Sequence, residues 1–330
     1  MPTPAKSHGC TWHWLTQHDL PEIMGLVAAE EHLGEHTHHH DLRGLSSAAA
    51  DEHVRDTETG VVLRKPSGTL IAYAWIRLPE AGGRFELYGG CHPAWRDEGI
   101  QETLLSWQFE RAGEWHAVNG VTEPMELAVL LSHSNHFLDE MLRARGFRPQ
   151  RRYHALRRQL GERLDAAPPD GITLVSYGPA WSEPIRVLYN EGVARAADRV
   201  ESEAWAWNLN AAGIQHDLSW VALYDGHPVG WALNAITDAG ERAGWTEYLG
   251  ATSEWRNRGL YRVLLARSFE SFGALGLGLA GIAVETDSDQ GARPYVELGY
   301  QPVDAMAWYV YRPVTDTLGP AKTDEQQMGR

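Results

Sequence analysis

The chain has 330 residues, of which 43% are apolar and 22% charged, enough for two domains of ordinary size with a sizeable core. A net charge of −15, from 29 basic and 44 acidic residues, argues against nucleic-acid binding driven by bulk charge. Two cysteines, Cys10 and Cys91, exclude a disulfide scaffold and a four-cysteine zinc site, and the apolar run from Ala274 to Val284, which extends back to Phe272 for 13 residues in all, is too short to span a bilayer.

Met1–Gly9 has no apolar stretch of the kind a secretory signal needs, so a reducing cytoplasm is the expected compartment. Next come six histidines and acids, His32, His36, His38, His39, His40 and Asp41, beside Glu31 and Glu35. His32 and His36 would share a helix face, but no HExxH motif or cysteine accompanies them, so no functional metal is expected. Strands are predicted near Thr69–Arg77 and Arg84–Gly90, a helix from Gly99, a strand over Met125–Leu131 and a helix over Asn135–Arg145. A strand from Arg152 follows. The span Arg143–Arg163 carries eight arginines and one glutamate. It reads either as a solvated strand and turn or as a phosphate-contacting patch.

Leu164–Gly171 (LDAAPPDG) marks a linker. Beyond it the order of elements repeats. Strand Ile172–Tyr177 precedes a helix over Trp181–Val200, and strands Leu218–Tyr224 and Pro228–Ile236 flank a tight Asp225-Gly226 turn. Strand Thr246–Thr252, helix Gly259–Leu275, strand Leu279–Glu285, helix Gln290–Leu298 and strand Met306–Tyr311 complete the second half. Thr315–Arg330 is polar and expected to be disordered. Direct comparison supports a duplication. Cys91–Gly113 and Ala251–Gly273 share eight identities in 23 ungapped positions, and Gly146-Phe147-Arg148-Pro149 echoes Gly299-Tyr300-Gln301-Pro302. The expected division is 1–163, linker 164–171, 172–314 and tail 315–330.

Trp255-Arg256-Asn257-Arg258-Gly259-Leu260-Tyr261 joins a predicted strand to a long predicted helix. Unpaired N–H groups and the helix dipole favour an anion there, glycine permits close approach, and the arginines add charge. Together with the downstream Tyr-x-x-x-Gly-Tyr at Tyr295–Tyr300, this pattern resembles the GNAT superfamily of acyl-CoA-dependent N-acyltransferases, in its tandem form. The resemblance covers nearly the whole chain and implies an α/β fold with a mixed sheet, present twice. It implies that Arg256, Asn257, Arg258, Gly259, Leu260 and Tyr261, with Ser288 at the next helix start, hold the coenzyme of acetyl-CoA or another acyl-CoA. It places Tyr295 as general acid. The family's sixth loop position is small; here it is Tyr261, and Gln101 in the first half.

For the base, Glu247 lies 12 residues before Gly259, and strand alternation puts it on one face with Trp245. The first half has Leu87 and Leu142 at the corresponding positions and Asp97-Glu98 in its loop, so it is expected to be degenerate. Glu201, Glu203, Trp205, Trp207 and Trp245 combine carboxylates and indoles suited to a cationic amine acceptor. Three functions follow: acyl-CoA:amine N-acyltransfer to a small molecule, transfer from an aminoacyl-tRNA held by Arg143–Arg163, or a non-catalytic coenzyme-binding protein. No membrane association is expected.

Overall fold

The computed structural model describes residues 3–4, 9–31, 59–78, 83–161, 163–193, 199–237, 242–286 and 289–313. The histidine-rich stretch, Ser288 and the expected tail therefore lie outside the described residues. Strands β1 (Thr11–Trp14), β2 (Gly60–Arg64), β3 (Leu70–Arg77), β4 (Arg84–Cys91), β5 (Glu126–Ser132) and β6 (Arg148–Gln159) belong to the first half. They alternate with helices α1 (Leu20–Glu31), α2 (Ile100–Val118) and α3 (His136–Ala144). The second half supplies β7 (Ile172–Ser176), α4 (Pro179–Gly192), α5 (Ser202–Ala211), β8 (Trp220–Tyr224), β9 (His227–Thr237), β10 (Ala243–Ala251), α6 (Leu260–Ala274), β11 (Leu279–Glu285), α7 (Asp289–Val296) and β12 (Gln301–Tyr311). The expected α/β architecture with a mixed, duplicated sheet is what the chain forms. The helix predicted over Trp181–Val200 ends at Gly192, and β1, α1, β2 and α5 had no counterpart in the sequence reading.

All twelve strands form one sheet, ordered β1-β2-β3-β4-β5-β12-β6-β11-β10-β9-β8-β7. The halves have exchanged their last strands. β6 leaves its own half to pair with β11, and β12 crosses back to pair with β5. At the centre β6 and β12 run antiparallel, with Arg157 opposite Gln301 and Arg148 opposite Val310. At the repeat offset read from Gly146 and Gly299, positions 148 and 157 correspond to 301 and 310. The register thus maps onto itself, as a two-fold axis between like partners requires.

One face carries α2, whose Ile100, Leu104 and Leu105 pack on Ile71, Ala74, Ile76 and Phe85. In the second half the same face carries α6, with Phe269 and Phe272 against Ala280 and Ile282. The opposite face carries α1 over Val62, Tyr73 and Trp75, and α4 with α5 over Val221, Trp231 and Leu233. Strand alternation accounts for the separation, since Val61 and Leu63 face α2 while Val62 faces α1. Cys10 and Cys91 are buried and free.

The two loop-and-helix sites and the cleft between β4 and β5

Each half places a strand, a loop, a left-handed glycine and a long helix in succession. Gly99 (φ 70°) caps α2 and Gly259 (φ 76°) caps α6, a conformation that L side chains adopt at a cost. Beside each loop a parallel strand pair opens. β4 and β5 are in register only through Glu86 and Ala128, and β10 and β11 only through Thr246 and Ile282. Past those points the strand edges diverge, and a ligand can enter between them.

The two loops differ in charge. Residues 255–262 (WRNRGLYR) carry +3, whereas 95–102 (WRDEGIQE) carry −2. Glu102, in the first turn of α2, turns its carboxylate to within 3.7 Å of where a Cβ on Gly99 would sit. The first half thus covers its helix N-terminus with its own anion. The second half has Arg262 at that position, and the space a Cβ on Gly259 would take has no atom within 4 Å. Arg256, Asn257 and Arg258 are exposed around it, and Arg258 lies over the Trp255 ring at 4.9 Å.

Tyr295 sits on α7 with its ring edge-on to Tyr300, the centroids 6.3 Å apart. Burial, with the neighbouring Tyr261 phenol, pushes its hydroxyl up to about 12, so it stays protonated at any physiological pH. The Tyr261 phenol thus lies within electrostatic reach of Tyr295. Glu247 is half-buried and is the extra residue of a bulge, since Thr246 pairs with Asn234 and Tyr248 with Leu233. The bulge corrects the simple alternation. Asn234 faces α6 through Ser268, while Leu233 faces α4 and α5, so residues 246 and 248 lie on opposite faces. Trp245 packs its ring over Gly281 of β11, at the point where β10 and β11 part.

The proposed acceptor cluster does not assemble. Trp205 is 2% exposed and packs with Tyr189 and Tyr248 in the core. Trp207 lies under Arg77 of β3 at 4.2 Å, and the Arg77 guanidinium donates to Asn208 at 2.8 Å, which docks α5 against the first half. Glu201 and Glu203 point to solvent. Alternate indoles on a helix read equally as core or as a ligand box, and here packing claims one and an arginine the other.

The arginine-rich span divides between partnered and exposed side chains. Most of it is β6, an inner strand. Arg151 pairs with Glu285 of β11 through both nitrogens, Arg158 stacks on Phe269 at 4.8 Å and donates to the Leu298 carbonyl, and Arg143 bonds Asp139 at 2.7 Å. Arg145, Arg148 and Arg152 are exposed.

The sequence reading missed a cleft in the first half. It lies between β4 and β5, where Glu30, Tyr88, Arg96, Gln101 and Leu142 line it. The matching positions of the second half carry Tyr248, Arg256, Tyr261 and Tyr295, so aromatic rings replace Gln101 and Leu142 there. Among the described residues no helix is long and apolar enough to cross a membrane.

Residues 184–300 match the Acetyltransferase (GNAT) family. No curated protein matches the chain. Among solved structures, a GCN5-related N-acetyltransferase from Sphaerobacter thermophilus aligns with a TM-score of 0.71 and 23% identity, over 92% of this chain and 95% of that one. A tandem GNAT protein from the clavulanic acid biosynthesis pathway aligns with a TM-score of 0.70 and 14% identity, over 92% and 98%. Saccharomyces cerevisiae N-myristoyltransferase, solved with myristoyl-CoA, aligns with a TM-score of 0.60 and 11% identity, over 94% and 80%. The second half therefore belongs to the GNAT acetyltransferase family, and the chain as a whole carries the tandem GNAT fold.

Proposed function

We propose that the chain transfers an acyl group, acetyl in the simplest case, from acyl-CoA to the amine of a small molecule, and that the second half performs the transfer. The observation that supports this reading is the contrast between the loops. The second is basic and open over Gly259, while the first is acidic and covered by Glu102. Arg256, Arg258 and the N-terminus of α6 would hold the pyrophosphate. Glu247, in its bulge beside the parting strands, would take the proton from the attacking ammonium, directly or through water. The freed amine attacks the thioester carbonyl, the C–S bond breaks, and the Tyr295 hydroxyl donates its proton to the departing thiolate. Trp245, over Gly281, would floor the space beside the thioester and so favour short acyl groups. Arg151 and Arg158 of β6 are committed to Glu285 and the Leu298 carbonyl, and the aminoacyl-tRNA alternative draws no separate support from them.

The test is calorimetric titration of the full chain with acetyl-CoA. Gly259→Trp and Arg258→Glu are expected to abolish binding, and Gly99→Trp to leave it intact. Loss of binding in the Gly99 variant alone would assign the coenzyme to the first half.

A further inference from the structure

The reaction proposed above uses side chains of the second half alone, yet one side chain of the first half braces the strand that carries the candidate base. We propose that Arg77 of β3 is a positioning residue for Glu247, acting across the seam through α5 and Tyr248. The inference rests on the reading of Glu247 as base.

Three contacts build the link. Arg77 closes β3 opposite Glu86 of β4, whose carboxylate it meets at 3.4 Å. That ion pair fixes the arginine on its own half. Its guanidinium lies over the Trp207 ring at 4.2 Å and donates to the Asn208 side-chain oxygen at 2.8 Å, both on α5 of the second half. A planar cation held by a carboxylate, a ring and an amide oxygen is fixed in orientation, and so is the helical turn it grips. In the same turn Trp205 faces the sheet. It packs on the Tyr248 ring at 5.1 Å, and Tyr189 of α4 meets the two rings at 5.3 and 6.1 Å. Tyr248 follows Glu247, at the point where β10 resumes its pairing with β9. A bulge disrupts the ladder locally, so the direction of Glu247 depends on what holds its neighbours.

The electrostatics agree with the contacts. Burial pushes the Tyr248 hydroxyl up, the Tyr189 phenol and Glu247 push the same way, and Arg77 pushes back, so both charges lie within reach of that one hydroxyl. The brace also runs one way. Tyr73 pairs with Gly90 as Trp231 pairs with Gly250, so Ala235 takes the place of Arg77 in the second half. β4, for its part, pairs with β3 from Glu86 to Cys91 without a bulge. The half with the bulge receives the arginine, and the half without it supplies it.

The test is hydrogen exchange on the full chain, read by mass spectrometry, with Arg77→Met, which keeps an apolar stem over Trp207 and removes the charged head. Exchange over α5 and residues 246–250 is expected to quicken by at least about fivefold, with α6 and β2 unchanged. Asn208→Ala cuts the link from the other side and should give the same pattern, which covers the case in which Arg77→Met fails to fold. The catalytic consequence is read as thiol release from acetyl-CoA with water as the acceptor. Arg77→Met should slow it by about tenfold or more in the otherwise unchanged chain and by less than about twofold beside Glu247→Gln, because the group it positions is then already gone. Wild-type exchange over 246–250, equal acceleration throughout the chain, or the same fold loss in both backgrounds would each overturn the proposal. A Glu247→Gln chain that releases thiol at the wild-type rate would instead overturn the reading of Glu247 as base, whatever the exchange shows.

Discussion

Tyr295 keeps its ring packed against Tyr300 whether or not its oxygen takes part in chemistry, which makes Tyr295→Phe a clean substitution. The expected result is a kcat lower by about 10²–10⁴ with folding and acetyl-CoA affinity unchanged, read by thiol release under saturating substrates. Because burial holds the phenol near about 12, Tyr295 should impose no basic limb on the kcat profile below about pH 11. Asp19 offers a test of stability rather than rate. Burial opposes its charged form, but hydrogen bonds from Arg64 and Thr16 outweigh burial and depress its pKa below 3.8. A depressed carboxylate stabilises the fold above its unfolded pKa, and that contribution is lost as pH falls through the folded value. Asp19→Asn should therefore flatten the decline in Tm below about pH 4, measured by thermal unfolding at successive pH values. Gly259 and Tyr295 were legible as residues because a φ-dependent glycine and a fixed distance to Gly299 are local facts. The direction of Glu247 was not, because the extra residue in β10 shows only in its pairing with β9.

Among the elements, α2, α6, β5 and β11 stood out in the sequence because each carries an apolar face or run of its own. β6 did not show as an inner strand. Its residues RPQRRYHALRRQ have little apolar periodicity, and their burial comes from the strands on either side. α5 was hidden for the opposite reason, since its two indoles resemble a ligand box until packing is known. The arginines of β6 should consequently differ in what they contribute. Arg158→Ala removes the stacking on Phe269 and the bond that holds the Leu298 carbonyl, and should lower stability by about 1–3 kcal/mol in urea unfolding. Arg152→Ala, on an exposed side chain, should stay within about 0.5 kcal/mol of wild type. Equal effects from the two would mean that β6 is held by its backbone alone.

For the molecule as a whole, the exchange of β6 and β12 decides what can stand alone. A fragment of residues 1–163 would retain β5 and β6 but lose β12, leaving the β5 edge and the Ser132 hydroxyl without Asp304. Two such fragments can restore the missing strand for each other, because β6 against a second β6 repeats the register of β6 against β12. The fragment is therefore expected to sediment as a dimer. A well-folded monomer would show that β6 can return to its own half. The duplication was legible in the sequence; the exchange was not, because it is a choice between two strands of similar chain position and only the three-dimensional pairing reveals it.

A seam that superimposes on itself is the contact two separate identical subunits would make across a dimer axis. The tandem chain then reads as a descendant of a homodimer whose single gene was duplicated and fused. In such a dimer any mutation strikes both subunits at once, so neither site can be given up without losing the other. Fusion removes that tie. Position 102 is now glutamate and its twin at 262 arginine, and position 142 is leucine where 295 is tyrosine. The two pockets could thereby diverge, while the symmetric seam that joins the two copies was kept.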